Sequence, residues 1–233
     1  MGEHIVSSFD DELIELRARI AEMGGLSESQ LSLALDCIET RDAALAQEVI
    51  AKDKRIDALE FEVERLATQI IARRQPLAQD LRAVISAMKL STTLERVGDL
   101  AKNIAKRSRP LTDREPIAIS SSVVRMGREV MAQLTEVLDA YVRMDVEVAV
   151  SVWRRDVEID NAYNAMFREL VTYMMEDPRM IGPGSQLMFV AKNLERIGDH
   201  TTHIAEMIYY VSKGEPLGDD RPKGAPIDLD PRI

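Results

Sequence analysis

Residues 94–105 read LERVGDLAKNIA, and residues 194–205 read LERIGDHTTHIA. The two strings share too much for helical patterning alone to explain, so they mark a duplication. Working outward, Met23-Gly24 returns as Met126-Gly127, and Leu35-Asp36 returns as Leu138-Asp139. Asp42, Asp53, Ile56 and Asp57 return as Asp145, Asp156, Ile159 and Asp160, every pair 103 positions apart. The last string is offset by 100, which a three-residue deletion near the second loop accounts for. Self-similarity at a fixed period means a repeated supersecondary unit and precedes any other reading of the fold.

Each copy reads as three helices. Apolar residues recur at helical period over about 4–40, 43–73, 77–108, 117–142, 146–176 and 185–212. Pro76, Pro110, Pro116, Pro178 and Gly182-Pro183-Gly184 punctuate the pattern where a helix interior does not continue. The fold class predicted is all-α: two pseudo-symmetric antiparallel three-helix bundles, residues 4–109 and 116–213, because short connections make neighbouring helices antiparallel. From 214 to 233 the chain reads GEPLGDDRPKGAPIDLDPRI, which offers no apolar face and is expected to be a flexible tail. Gly24 and Gly127 fall inside helical patterns and are read as points of close helix approach. Gly98 and Gly198 serve either the same purpose or open room beside a ligand.

Composition agrees with helices. Of 233 residues, 45% are hydrophobic and 4% aromatic, with Leu, Ala, Ile, Met, Glu and Arg dominant. A net charge of −10 repels a phosphate backbone and weighs against a nucleic-acid partner. Cys37 is the single cysteine, in keeping with a reducing compartment. No stretch has the pattern of a signal peptide or the length of a membrane span, so a cytoplasmic protein is expected. There is no Gly-rich phosphate loop, no CxxC, no Ser-His-Asp set and no core-facing Glu-x-x-His, and an enzyme is not expected.

The chemistry-bearing feature is acidic. Asp53 and Asp57 lie on the second helix, Glu95 and Asp99 on the third, and their repeats are Asp156 with Asp160 and Glu195 with Asp199. Residues four apart are about 40° apart around a helix, so each pair shares a face and repels. The apolar stripe Leu90, Leu94, Val97, Ala101 and Ile104 leaves Glu95 and Asp99 nearly opposite, and Asp53 and Asp57 flank the stripe of Ile56, Leu59 and Val63. None of these carboxylates is therefore expected in the core. Two readings stand: solvated rows neutralised by nearby Lys52, Lys54, Arg55, Arg96, Arg155 and Arg196, or edges where four carboxylates gather a hard cation. His203 extends the ladder of Glu195 and Asp199 as either a solvated side chain or a nitrogen ligand, with Asn103 at its place in the first copy.

Together, the opening HIVSSFDDELIELRARIAEMG, ETRDAALAQEVIAKDKRIDALE, IARRQPLAQDLR and the doubled LER-[VI]-GD resemble the PhoU family from about residue 4 to 214. The resemblance implies a regulator that restrains phosphate-starvation signalling and uptake as an adaptor. Its implied partners are the ATPase subunit of a phosphate ABC transporter and a sensor histidine kinase, reached at the membrane only through them. It further implies a homodimer and a multinuclear metal cluster (iron, zinc, manganese or magnesium) on Asp53, Asp57, Glu95, Asp99, Asp156, Asp160, Glu195 and Asp199, with His203 a departure from the pattern. A protein of metal storage or sensing is the alternative.

Overall fold

The computed structural model describes residues 2–112, 117–218, 221, 223 and 224, with residues 2–8 as backbone only. Among them there is no strand. The helices are α1 (Gly2–Thr40), α2 (Ala43–Lys52), α3 (Lys54–Arg74), α4 (Ala78–Ser108), α5 (Ser120–Arg143), α6 (Val146–Glu176) and α7 (Ile181–Lys213). None is long and apolar enough to cross a membrane. Residues 113–116, in the connection expected between the repeats, lie outside the described residues, as do 219, 220, 222 and 225–233 of the expected tail.

Helix bounds differ from those read in the sequence at three places, one being α5, which starts at Ser120 rather than 117. The second helix is interrupted at Asp53, whose helical φ and ψ of −53° and −37° keep the two halves in line. There the Ile56 N–H donates to the Asp53 carbonyl at 2.9 Å, a tightened turn, whereas α6 runs unbroken through Asp156. The last helix starts at Ile181 rather than 185. Gly182-Pro183-Gly184 fall in its first turn, where backbone N–H groups have no intrahelical acceptor and proline costs little.

The repeated Asp42 and Asp145 are helix caps. Arg41 (φ 59°) and Met144 (φ 53°) turn the chain through the left-handed region. Asp42 then accepts from the Ala44 and Leu45 N–H groups at 2.7 and 3.1 Å, and Asp145 from Val148 at 3.1 Å.

The copies meet through reciprocal contacts. A Cβ on Gly24 would lie 3.0 Å from Leu138, and one on Gly127 would lie 2.2 Å from Leu35. Gly24 and Gly127 are repeat mates, as are Leu35 and Leu138, so α1 and α5 cross antiparallel about a pseudo-dyad with each leucine seated over the other's glycine. The expected close approach is what these two glycines provide. The same dyad relates α4 to α7: Arg107 donates to Gln186 at 3.2 Å and lies 4.3 Å from the Phe189 ring centroid, while Lys89 shares a pocket with Met207. These four helices form the centre, and one continuous core runs through both copies, including fully buried Leu16, Leu31, Leu94, Val130, Leu134 and Leu194. The α2–α3 segment packs outside α1 and α4, and α6 packs outside α5 and α7.

Overpacking the dyad and relieving an unneeded glycine are expected to act in opposite directions. Gly127→Val forces Leu35 out of its seat and should lower unfolding stability by about 1–3 kcal/mol. Gly25 has open space around its Cβ position, so Gly25→Ala should raise stability by about 0.5–1 kcal/mol. Urea unfolding followed by circular dichroism measures both; equal effects at the two glycines would contradict the reciprocal seat.

Candidate functional site

Where α3 begins, Asp53 is not at the water-accessible edge expected of it. It is 4% exposed, and its repeat mate Asp156 is 1% exposed. The reason lies on the facing helices. A Cβ on Gly98 of α4 would stand 3.6 Å from Asp53 Oδ1 and 2.9 Å from Ile56, and a Cβ on Gly198 of α7 would stand 3.2 Å from Asp156 Oδ1 and 3.3 Å from Ile159. A glycine in the third helix lets the second approach until its flanking aspartate is covered. Position on the flank of an apolar stripe does not by itself mean exposure. Gly98 and Gly198 open room beside these aspartates.

A buried carboxylate needs partners. Asp53 Oδ1 accepts from Gln30 Nε2 at 3.2 Å, and its other oxygen meets the Lys102 ammonium, which also binds Asp99. The first ladder is thus joined across helices as two carboxylates on one cation. Burial works against the Lys102 charge, but its hydrogen bonds to Asp53 and Asp99 outweigh this and push its pKa up. Asp57, exposed, is raised by desolvation and by Asp53. Among the described residues, no cation pairs with Glu95. Desolvation first, then the charges of Asp99, Glu60, Asp57 and Asp53, push it up to about 7.

The second cluster has the same carboxylates and different cations. Position 202, the repeat of Lys102, is Thr202, whose hydroxyl donates to the Asp199 carbonyl at 2.7 Å. The cation comes instead from beyond α7. Arg221 Nε donates to Asp156 Oδ2 at 2.9 Å, and its Nη2 binds both Asp156 and Asp199, the latter at 2.6 Å. The Gly224 N–H donates to Asp160 Oδ2 at 2.8 Å. Glu195 lies apart, 2.7 Å from Lys192, a residue whose repeat mate is Thr92. Burial pushes Asp156 up to about 6 against the pull of Arg221.

His203 does not join Asp199. Its Nδ1 lies 3.3 Å from Glu206, which also accepts from Trp153 Nε1 at 3.1 Å, and the His203 hydrogen bond is the chief cause of a lowered Glu206 pKa. Asp99 and Asp199 open onto one shallow groove between α4 and α7 with Arg96, Arg196, Asn103 and His200. Sequence reasoning missed Gln30, Glu60, Lys102, Glu206 and Arg221. For Lys102 and Glu206 a signal was present, a charge three residues from Asp99 and from His203; for Arg221 no local pattern exists.

The donor chemistry of both clusters is hard oxygen, suited to divalent cations. As arranged, however, the carboxylates converge two at a time, and among the described residues no three His, Cys, Asp or Glu side chains gather where one metal ion could be held. The central places are taken by an ammonium and a guanidinium.

Comparison with known proteins places this architecture. The family described as "PhoU domain" matches twice, over residues 20–108 and 123–208. A "Phosphate-specific transport system accessory protein PhoU homolog" of Caulobacter vibrioides is 52% identical over 224 residues, 96% of this chain and 97% of that protein. The "Phosphate-specific transport system accessory protein PhoU" of Escherichia coli K12 is 38% identical over 215 residues, 92% of this chain and 89% of that one. The crystal structure of PhoU from Pseudomonas aeruginosa superposes with a TM-score of 0.86 at 39% identity, covering 89% of this chain and all of that one.

The raised carboxylates set a pH dependence. The folded state holds protons on Glu95 (about 7) and Asp156 (about 6) that the unfolded state, with ordinary values of 4.5 and 3.8, releases. Between about pH 4.5 and 7 the native state therefore binds more protons, and stability falls as pH rises through that window. The midpoint of thermal unfolding should drop from pH 5 to pH 8. Glu95→Gln should flatten the drop and be more stable than wild type at pH 8; an unchanged slope would contradict the assignment to Glu95.

Proposed function

Since this chain belongs to the PhoU family, we propose that it restrains phosphate-starvation signalling and phosphate uptake as an adaptor, not as a catalyst. The observation that carries this reading is similarity to phosphate-specific transport system accessory proteins along almost the whole of both chains. The proposed contacts are the ATPase subunit of a phosphate ABC transporter and a sensor histidine kinase, met at the cytoplasmic side of a membrane by a homodimer of this chain. The architecture suits docking. One core spans both copies, and the acidic ladders lie on helices packed against it.

One observation favours a second, compatible reading in which the carboxylate clusters load divalent metal such as iron, zinc, manganese or magnesium. Each cluster already brings carboxylates of two helices to a single cationic group. Asp53 and Asp99, or Asp156 and Asp199, would be the first ligands, with Asp57, Glu95, Asp160 and Glu195 beside them. A bound divalent ion would supply charge neutralisation between the second and third helices of a repeat. For that, Lys102 and Arg221 would have to give way.

Removal of the gene should leave phosphate-responsive transcription on in high phosphate, and the wild-type gene should restore repression. A reporter in the deletion strain measures it; normal repression there would contradict the adaptor reading. Complementation with Asp53→Asn, Asp57→Asn, Glu95→Gln and Asp99→Asn together separates the two readings. Full repression by this variant would mean that regulation does not pass through the first cluster.

A further inference from the structure

The two copies keep their carboxylates and exchange their cations. Lys102 lies on the same helix as Asp99, one turn away, so only its side chain can move off the cluster. Arg221 stands on a segment that follows α7, which ends at Gly214 in the left-handed conformation with its N–H on the Tyr210 carbonyl. Past that cap, Leu217 packs against the core and shares a pocket with Glu206, Met207 and Tyr210. Arg221, its side chain 19% exposed, then reaches Asp156 and Asp199. Gly224 brings its N–H to Asp160 so closely that a Cβ there would be 2.5 Å from Asp160 Cβ and 3.3 Å from the Asn161 backbone nitrogen. Four features thus seat the segment: an apolar anchor, a bridging guanidinium, a backbone hydrogen bond, and an approach only glycine permits.

We propose that the segment carrying Arg221 and Gly224 is a releasable strap that docks on the Asp156, Asp160 and Asp199 cluster as its built-in counter-ion. The repeat asymmetry is the argument for release. Where the first copy has Lys102, the second has Thr202, so Asp156 and Asp199 share a bridging cation only while the strap is down. Undocking takes the shared guanidinium from Asp156 and Asp199 and the backbone donor from Asp160. A cation that takes these carboxylates excludes the guanidinium, so strap and cation compete for one place. In the first cluster the cation is carried by a central helix, so no chain segment can lift away with it. Competition rests on the metal-loading reading proposed above, whereas docking of the strap does not.

Limited trypsin digestion of the full chain tests it. Lys223 lies beside the strap's seat and is exposed, while the Arg221-Pro222 bond is a poor trypsin site, so Arg221→Gln leaves the diagnostic cleavage after Lys223 intact. Cleavage of a docked segment tracks its open population. Arg221→Gln, which removes the bridging guanidinium, and separately Gly224→Ala, whose methyl would clash with Asp160, should each speed cleavage after Lys223 by about tenfold with helical circular dichroism unchanged. Lys102→Gln should leave that rate as it is. Manganese chloride should speed cleavage of the wild type beyond choline chloride at equal ionic strength, and should have no such effect on Arg221→Gln. Wild-type rates in both strap variants would overturn docking; equal rates in the two salts would overturn competition.

Discussion

Two aspartates set the terms for the rest of this molecule. Asp53 and Asp156 are carboxylates inside a helical protein, covered because Gly98 and Gly198 let the second helix of each repeat settle against the third. A carboxylate so placed is costly unless a cation or several donors meet it. Each repeat therefore carries a cation that reaches across to a second carboxylate, Asp99 or Asp199, and so ties the outer helix to the central four. The cost of burial remains visible in the raised pKa values of Glu95 and of Asp156, the latter raised despite Arg221.

Symmetry explains why this arrangement occurs twice and why it differs. The dyad, with Leu35 over Gly127 and Leu138 over Gly24, is close to isologous, and the caps Asp42 and Asp145 repeat with it. Those positions concern backbone approach and helix ends, which leave little room for alternatives. Charge compensation has more solutions. Lys102 in one copy, Lys192 and Arg221 in the other, neutralise equivalent carboxylates from unrelated positions. The family's duplicated architecture is shared, while the source of neutralising charge is a local choice of each half.

The fold was legible in the sequence because its decisive features are local and periodic. The doubled LER-[VI]-GD string, the helix breaks and the paired glycines all carry their meaning within a turn or two of chain. The site was half legible. The paired carboxylates were visible, yet their burial was not, since Asp53 sits on the flank of its own helix and is covered only by the neighbour's glycine. Lys102 was within reach of a spacing argument, three residues after Asp99. Arg221 was not, because 65 residues separate it from Asp156 and its segment has no periodic pattern. For His203 the residue considered was Asp199, four positions before it, while the carboxylate it meets is Glu206, three positions after it.

A double-mutant cycle on Asp53 and Lys102, read by urea unfolding, addresses the account at its centre. Removing Lys102 alone leaves a buried carboxylate unpaired and should cost about 3 kcal/mol. If Asp53 is what Lys102 serves, Asp53→Asn in the same chain should recover most of that loss, so that the double variant is more stable than Lys102→Gln alone. Losses that simply add would mean that Asp53 and Lys102 act independently, and that the covered carboxylate is not what the cation is there to hold.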